Sequence, residues 1–388
     1  MNRIRSLLIA LAWTVFVCAD ALALPYSELI VFGDSLSDVG NVNQSTLGTT
    51  PAPAYFNGRF SNGPVYSEQL ADLLGIGPLT HSRSGGTNYA HGNAMTTGTG
   101  FFLSLFIDDI DDQVDDYLAT GPTIASDSLF VVFAGANDLL DGETNVNAPV
   151  NSLVSDLNRL INAGAENLLV ANLPLLGLTP RFNGDPTQSA SMNAVTANFN
   201  SALSEALDTL ETSAPSVDFF RLDVAGLIND AVANPTAFGL TNVTDPAAPG
   251  LQFDTTNYDP NLIVDEPEHY LFWDDVHPTT AAHSLLAEFA LAAVTFSADF
   301  NLDGKVDGLD LMQWESSYNF DAAADANNDV TSDGLDFLQW QLQFGQGVTS
   351  SVSIAALVPE PESVLITIYL LVWGLNRSIS RRHLFSGG

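Results

Sequence analysis

Three short stretches carry residues that can act together on a substrate. Ser35 follows an apolar run in Gly33-Asp34-Ser35-Leu36-Ser37-Asp38. A glycine straight after a buried strand lets the chain turn sharply, and a serine there presents its hydroxyl at the carboxyl edge of the sheet. Asn137 follows a second apolar run in Gly135-Ala136-Asn137-Asp138, where a side-chain amide can donate to charge developing on a carbonyl oxygen. Asp274 and His277 share the stretch Trp273-Asp274-Asp275-Val276-His277-Pro278-Thr279, so one tight turn sets a carboxylate against an imidazole. Pro278 suits the first turn of the helix expected next. A serine hydroxyl is a poor nucleophile at neutral pH; it needs an adjacent base, and that base needs an acidic partner to fix its tautomer. Taken singly, each stretch reads as an ordinary turn or helix start. Together they hold the parts of a serine nucleophile.

The competing groups are few. Asp275 is a second carboxylate near His277, and His269 has Glu266 three positions earlier. His81, His91 and His283 have no such acid, and His283 reads as a packed or solvent-facing residue on the helix after Pro278. The only cysteine, Cys18, lies in the N-terminal apolar segment, so a thiol nucleophile, a disulfide framework and thiolate metal sites are excluded from the processed chain.

The elements that must position these groups follow from the apolar pattern. Continuous β-prone runs occur at 29–32, 129–134, 167–172 and 217–222, separated by helical patterns at 65–74, 103–118, 150–163, 192–210 and 280–294. Short unbroken apolar strands alternating with amphipathic helices predict an α/β fold, a three-layer parallel sheet covered on both faces. Sites in such sheets lie at the carboxyl ends of the strands. Both Ser35 and Asn137 are placed there.

Gly33-Asp34-Ser35-Leu36, Gly135-Ala136-Asn137-Asp138 and Asp274-x-x-His277-Pro278 resemble, in order, the blocks of the GDSL (SGNH) hydrolases. Gly58-Arg-Phe-Ser-Asn-Gly63, Thr87-Asn-Tyr-Ala90, Asn172-Leu-Pro174 and Thr179-Pro180 agree with the same family, most closely with its secreted bacterial and plant esterase/lipase branch. The resemblance implies a flavodoxin-like hydrolase domain over residues 24–297. It implies Ser35 as nucleophile, His277 as general base and Asp274 as the carboxylate that orients it. Asn137 and the Ser35 backbone N–H would serve as oxyanion donors. A third donor is implied in the glycine block after Asn-Tyr-Ala, where this chain reads His91-Gly92-Asn93-Ala94; Gly92 is favoured, with Asn93 close behind. The implied reaction is hydrolysis of a lipid or other acyl ester, with an acetylated polysaccharide as the alternative substrate and no cofactor needed for the chemistry.

A second unit, residues 298–346, is internally duplicated: Asp307-Gly-Leu-Asp-Leu-Met-Gln-Trp314 recurs as Asp333-Gly-Leu-Asp-Phe-Leu-Gln-Trp340. Before and into the first copy, Asp299, Asn301, Asp303, Lys305 (through its carbonyl) and Asp310 stand at loop positions 1, 3, 5, 7 and 12. Asp325, Asn327, Asp329, Thr331 and Asp336 repeat the pattern. Hard oxygen donors at this spacing suit a structural Ca²⁺, with Gly304 at the sharp turn of the first loop and Val330 in its place in the second. Loop plus single helix, duplicated, resembles a type I dockerin, which implies a small all-α module and a cohesin-like partner. Solvated acidic turns without metal are the alternative.

The termini read as addresses. Arg3 and Arg5, the apolar stretch Leu7–Val17 and Ala21-Leu22-Ala23 predict a signal peptide over residues 1–23, against the alternative of an N-terminal anchor. Residues 347–357 read as a linker. Residues 358–388, with Pro-Glu-Pro, a short apolar run and Arg377, Arg381 and Arg382, resemble a PEP-CTERM sorting signal. That resemblance implies transient inner-membrane retention, removal by an exosortase and a secreted or surface-associated product; a permanent anchor is the alternative. Across 388 residues, 46 Asp+Glu against 11 Lys+Arg give a formal charge of −35, which would repel phosphate backbones and excludes nucleic acid as a partner. A hydrophobic content of 46% excludes global disorder. The rival from another class is a surface adhesion protein with an inactive hydrolase-like domain.

Overall fold

A computed structural model describes residues 26–98, 106–121, 123–301, 305–326 and 331–345. The expected signal peptide, linker and sorting tail lie outside the described residues, as do Asp303, Asn327 and Asp329.

The four apolar runs form four parallel strands: β1 (Glu28–Gly33), β2 (Ser128–Phe133), β3 (Asn167–Ala171) and β4 (Asp218–Leu222), hydrogen-bonded in the order β1-β2-β3-β4. Leu29, Ile30, Val31 and Phe32 are all fully buried, as are Leu129, Phe130 and Val131, because helices cover both faces and no polar alternation is tolerated. The helices of this part are α1 (Asn41–Ser45), α2 (Tyr66–Leu73), α3 (Ile110–Ala119), α4 (Ala136–Leu140), α5 (Asn147–Ala163), α6 (Pro180–Asn183), α7 (Pro186–Ser213), α8 (Val224–Ala233) and α9 (Thr280–Thr295). A small two-stranded sheet pairs β5 (Asn242–Pro246) with β6 (Tyr270–Phe272). Among the described residues no helix is long and apolar enough to cross a membrane.

One strand-like edge escaped the hydrophobic pattern. Residues 87–91 run parallel to the free side of β1: Val31 N–H donates to Thr87 O (3.0 Å), Tyr89 N–H to Val31 O (2.7 Å) and His91 N–H to Gly33 O (3.1 Å). This segment precedes β2 in sequence yet lies on the opposite side of β1. The strand order therefore reverses at β1, whose carboxyl end is the crevice where doubly wound sheets bind ligands.

Two expectations need correction. Within the described part of the helical pattern at 103–118 the helix starts at Ile110; Phe106–Asp109 are not helical, and Asp111 and Asp112 sit in the first turn, where carboxylates favour the helix dipole. Pro278 is not in the first turn of α9 either. Thr279 is the N-cap, its hydroxyl accepting from Ala282 N–H (3.2 Å), and Pro278 bridges back to Phe272.

Beyond α9, the duplicated sequence forms α10 (Gly308–Ser317) and α11 (Gly334–Gln343). The copies clasp each other reciprocally. Trp314 Nε1 donates to Asp333 O and Trp340 Nε1 to Asp307 O, both at 2.8 Å, so each indole caps the residue that begins the other helix.

Candidate active site

The turn after β1 depends on close approach at Gly33. A Cβ there would lie 2.8 Å from Phe133 O and 2.9 Å from Ser37 Oγ, so glycine is required by space. Gln113 of α3 grips Gly33 from both sides, its carbonyl accepting from Gly33 N–H and its amide donating to Gly33 O, each at 2.9 Å. Gly135, which caps α4 after β2, has φ 110°, and a Cβ there would strike the Phe199 ring at 2.5 Å. The chain is thus held tightly at both strand ends, and Ser35 and Asn137 follow directly.

Ser35, His277 and Asp274 form one hydrogen-bonded line. His277 Nε2 lies 2.9 Å from Ser35 Oγ, and His277 Nδ1 lies 2.6 Å from Asp274 Oδ2. The loop between β6 and α9 makes this possible by folding on itself: Trp273 N–H donates to His277 O (2.7 Å) and Thr279 N–H to Leu271 O (3.0 Å). The other carboxylate oxygen, Asp274 Oδ1, accepts from Val276 N–H (2.8 Å) and His277 N–H (2.7 Å). Burial pushes the Asp274 carboxyl up, but the His277 charge and these hydrogen bonds outweigh it and hold it below the usual carboxylate range. The competing Asp275 faces away, in a fork with Arg181 at 2.8 and 3.2 Å.

Ser35, Asn93 and Asn137 line one cavity. Asn137 Nδ2 donates one proton to Ala94 O (2.8 Å), which fixes the amide and leaves its second proton for a ligand. The neighbouring Asp138 ties the same two loops together by accepting from Thr96 N–H (3.0 Å) and Thr96 Oγ1 (2.8 Å). The Gly92 N–H, favoured from sequence, is committed to the buried carboxylate Asp38 at 2.9 Å. The N–H of Asn93 has no partner among the described residues, and Asn93 takes the left-handed backbone (φ 66°) usual for glycine. Asparagine tolerates that conformation better than most residues. The Ser35 N–H is likewise without a partner among the described residues.

Three other histidines, His91, His269 and His283, have set hydrogen-bond partners. His91 is buried and pushed down to about 4 by that burial; its Nδ1–H donates to Tyr89 O (2.9 Å) while Nε2 accepts from Arg83 Nε (3.0 Å). Asp108 lies 3.3 Å from the same Nε2, but a neutral ring accepting there makes no ion pair with it. His269 bonds Gly239 O. Burial likewise lowers His283 to about 3, and its Nδ1 accepts from Tyr66 N–H (3.2 Å). Asp34, beside Ser35, is pushed up to about 6, chiefly by burial, against the pull of Leu36 N–H and His277.

Sequence reasoning missed two features. The first is Tyr55, whose hydroxyl donates to Asp274 Oδ2 at 2.5 Å. The second is a cavity of about 530 Å³ that opens at Ser35 and His277. Its walls are largely apolar, with Val224, Ile228, Leu271, Phe272, Ala282 and Leu286 among them.

In the duplicated unit, Asp310 and Asp336 are fully buried. Asp310 accepts from Asn301 N–H (3.1 Å) and Asp307 N–H (2.7 Å), and Asp336 from Ala326 N–H (2.8 Å) and Asp333 N–H (2.6 Å). Each carboxylate thus links the loop to the start of its helix. Asp299 is also buried, whereas Lys305 and Thr331 are exposed. Among the described residues no group of three or more His, Cys, Asp or Glu side chains is placed to hold a metal ion.

The family profile described as GDSL-like lipase/acylhydrolase matches residues 29–290. Among curated proteins, the chain is 28% identical over 330 residues to an uncharacterized protein of the trpE-trpG intergenic region of Pseudomonas putida, covering 76% of this chain and 53% of that one. It therefore spans about half of that relative. It is 28% identical over 319 residues to a phosphatidylcholine-sterol acyltransferase of Aeromonas hydrophila, covering 71% of this chain and 92% of that protein. Against a GDSL esterase/lipase of Arabidopsis thaliana the identity is 27% over 325 residues, with 69% and 87% covered.

Proposed function

The chain belongs to the GDSL-like lipase/acylhydrolase family and is accordingly an ester-bond hydrolase; from that premise we propose that it cleaves carboxylic esters of long acyl chains through an acyl enzyme on Ser35. In this reading Ser35 Oγ attacks the ester carbonyl as His277 Nε2 takes its proton. His277 then returns that proton to the departing alcohol. Water, activated by the same imidazole, releases the acid and regenerates the serine. Asp274 holds Nδ1–H and stabilises the imidazolium. The Ser35 and Asn93 N–H groups and the Asn137 amide receive the oxyanion. What supports the assignment above all is the 2.9 Å contact between Ser35 Oγ and His277 Nε2.

The acyl preference rests on the cavity. An acetyl group has no use for an apolar space of about 530 Å³, whereas a long hydrocarbon chain gains from leaving water for it. Nitrophenyl esters of eight or more carbons are expected to be cleaved with higher kcat/KM than the acetate. Ile228→Trp, which narrows the cavity wall, is expected to lower kcat/KM for the long esters about tenfold or more and to spare the butyrate. A preference for acetate, unchanged in that variant, would favour the polysaccharide O-acetyl esterase instead. An inactive adhesion domain has no need of the Ser35–His277–Asp274 line.

The rest of the chain fits export and attachment. The N-terminal segment would direct secretion, the C-terminal segment would be processed by an exosortase, and the duplicated unit would join a cohesin-like partner. The support is the order of the sequence segments. Asp299, Asn301, Asp303, Lys305 and Asp310 would hold one Ca²⁺, and Asp325, Asn327, Asp329, Thr331 and Asp336 a second. Buried, hydrogen-bonded Asp310 and Asp336 suit a hard cation. Chelation is expected to lower the melting temperature of the 298–346 unit within the full chain, with excess Ca²⁺ restoring it. Unchanged melting, with no calorimetric uptake of Ca²⁺, would remove the metal.

A further inference from the structure

Asp274 Oδ2 receives two donors within the same small volume: His277 Nδ1–H at 2.6 Å and Tyr55 O–H at 2.5 Å. We infer that Tyr55 is a positioning residue for the proposed reaction, dividing the charge of Asp274 Oδ2 with the bond that orients and supports His277. This rests on the reading of Ser35, His277 and Asp274 given above.

The geometry around Tyr55 is built for one orientation. Its ring is buried with Ala52, Ala247, Ala248, Leu251 and Trp273, in a cluster separate from the core of the main sheet. Tyr55 N–H donates to Ala52 O (3.0 Å), closing a turn, and Ala52 N–H donates to Phe253 O (2.8 Å), tying that turn to the loop after β5. The ring stands edge-on to the His277 imidazole, at 6.4 Å and 90°, while the Phe60 ring lies 5.4 Å from the imidazole, centre to centre. Tyr55 is not among the residues lining the cavity, and its hydroxyl meets Asp274. Burial first, then the charge of Asp274, keeps the phenol protonated far above its ordinary range, so it remains a donor.

A second donor on Oδ2 draws electron density away from the bond to His277. The carboxylate then stabilises the imidazolium less than it would with His277 as its sole partner on that oxygen. Other charged groups surround the pair without sharing that oxygen. Asp34 faces His277 from the turn after β1, and His283 from α9. Asp275, neutralised by Arg181, and Asp254 lie on the Tyr55 side. Removing the Tyr55 hydroxyl leaves all four in place.

The test compares Tyr55→Phe with the full-length protein, and with protein carrying a ring-fluorinated tyrosine at position 55, whose phenol is a stronger donor of the same shape. For Tyr55→Phe, the acid limb of the kcat/KM profile is expected to move up by about half to one pH unit, with KM nearly unchanged. For the fluorinated residue, the limb moves down. The downfield Nδ1–H proton resonance of His277 should shift in both proteins, in opposite directions. An unmoved limb and an unmoved resonance would leave Tyr55 as packing and overturn the inference. The fluorinated protein carries the test if the phenylalanine variant fails to fold. A wild-type protein with no esterase activity would instead fail the functional reading, while the resonance still reports whether Tyr55 acts on the Asp274–His277 bond.

Discussion

Ser35→Ala is expected to lower kcat for a nitrophenyl ester by about 10⁴- to 10⁶-fold while leaving the melting temperature close to wild type. The size follows from losing the nucleophile outright, since the oxyanion donors and the cavity alone retain only a small residue of catalysis. Stability should survive because Ser35 Oγ contributes one hydrogen bond, to His277 Nε2, and the turn around it is held by other groups. Gln113 secures Gly33, Asp34 Oδ1 accepts from Leu36 N–H (3.0 Å), and Ser37 Oγ meets Tyr66 Oη (3.0 Å). A fluorophosphonate probe should label the wild-type chain at Ser35 and leave the variant unlabelled. Undiminished turnover, with labelling at another residue, would remove Ser35 from the reaction and with it the acyl enzyme.

Parts of this architecture could be read from the residues because their cause is local. β1 and β2 announce themselves as unbroken apolar runs, since a strand covered on both faces has no polar side to show. Asp274 and His277 are legible together because three positions and one turn fix their separation. Tyr55 is not legible. It is 219 positions from Asp274, in an irregular segment, and only the folded loop after β6 brings the two together. The edge at 87–91 is not legible for a similar reason: Thr-Asn-Tyr-Ala is short and half polar, and its place is set by hydrogen bonds to Val31 and Gly33. Choosing between Gly92 and Asn93 required knowing where Asp38 points, because that carboxylate takes the Gly92 N–H. Asn93, next in the chain, holds the left-handed conformation. The cavity was hidden as well. Val224, Ile228, Ala282 and Leu286 look like ordinary core positions of helices, and only their arrangement leaves a space between them.

Asp274→Asn is expected to lower kcat/KM by about 10⁴-fold, nearly as far as loss of the serine, whereas Asp275→Asn should change it by less than about threefold. The contrast follows from which atoms each carboxylate serves. Asp274 Oδ1 accepts from two backbone N–H groups, those of Val276 and His277, and only an oxygen can fill that place. An asparagine must therefore turn its carbonyl towards them and its NH₂ towards Tyr55 and His277. The amide then donates to His277 Nδ1, which forces the ring proton onto Nε2, where it points at Ser35 Oγ and blocks proton uptake. Tyr55 can accept from the same NH₂, so the packing has no reason to change. Asp275, by contrast, pairs with a partly exposed Arg181 and lies outside this line. The Asp274→Asn variant should also differ from the wild type in its response to acid. The folded Asp274 carboxyl is held below its ordinary value, so its charge stabilises the fold above the unfolded value of about 3.9, and that contribution is lost as the pH falls through the depressed folded value. The melting difference between wild type and Asp274→Asn should accordingly be largest near neutral pH and narrow on acidification. If Asp275→Asn proved the crippled variant and Asp274→Asn the active one, the carboxylate assignment would pass to Asp275, and the inference about Tyr55 would fall with it.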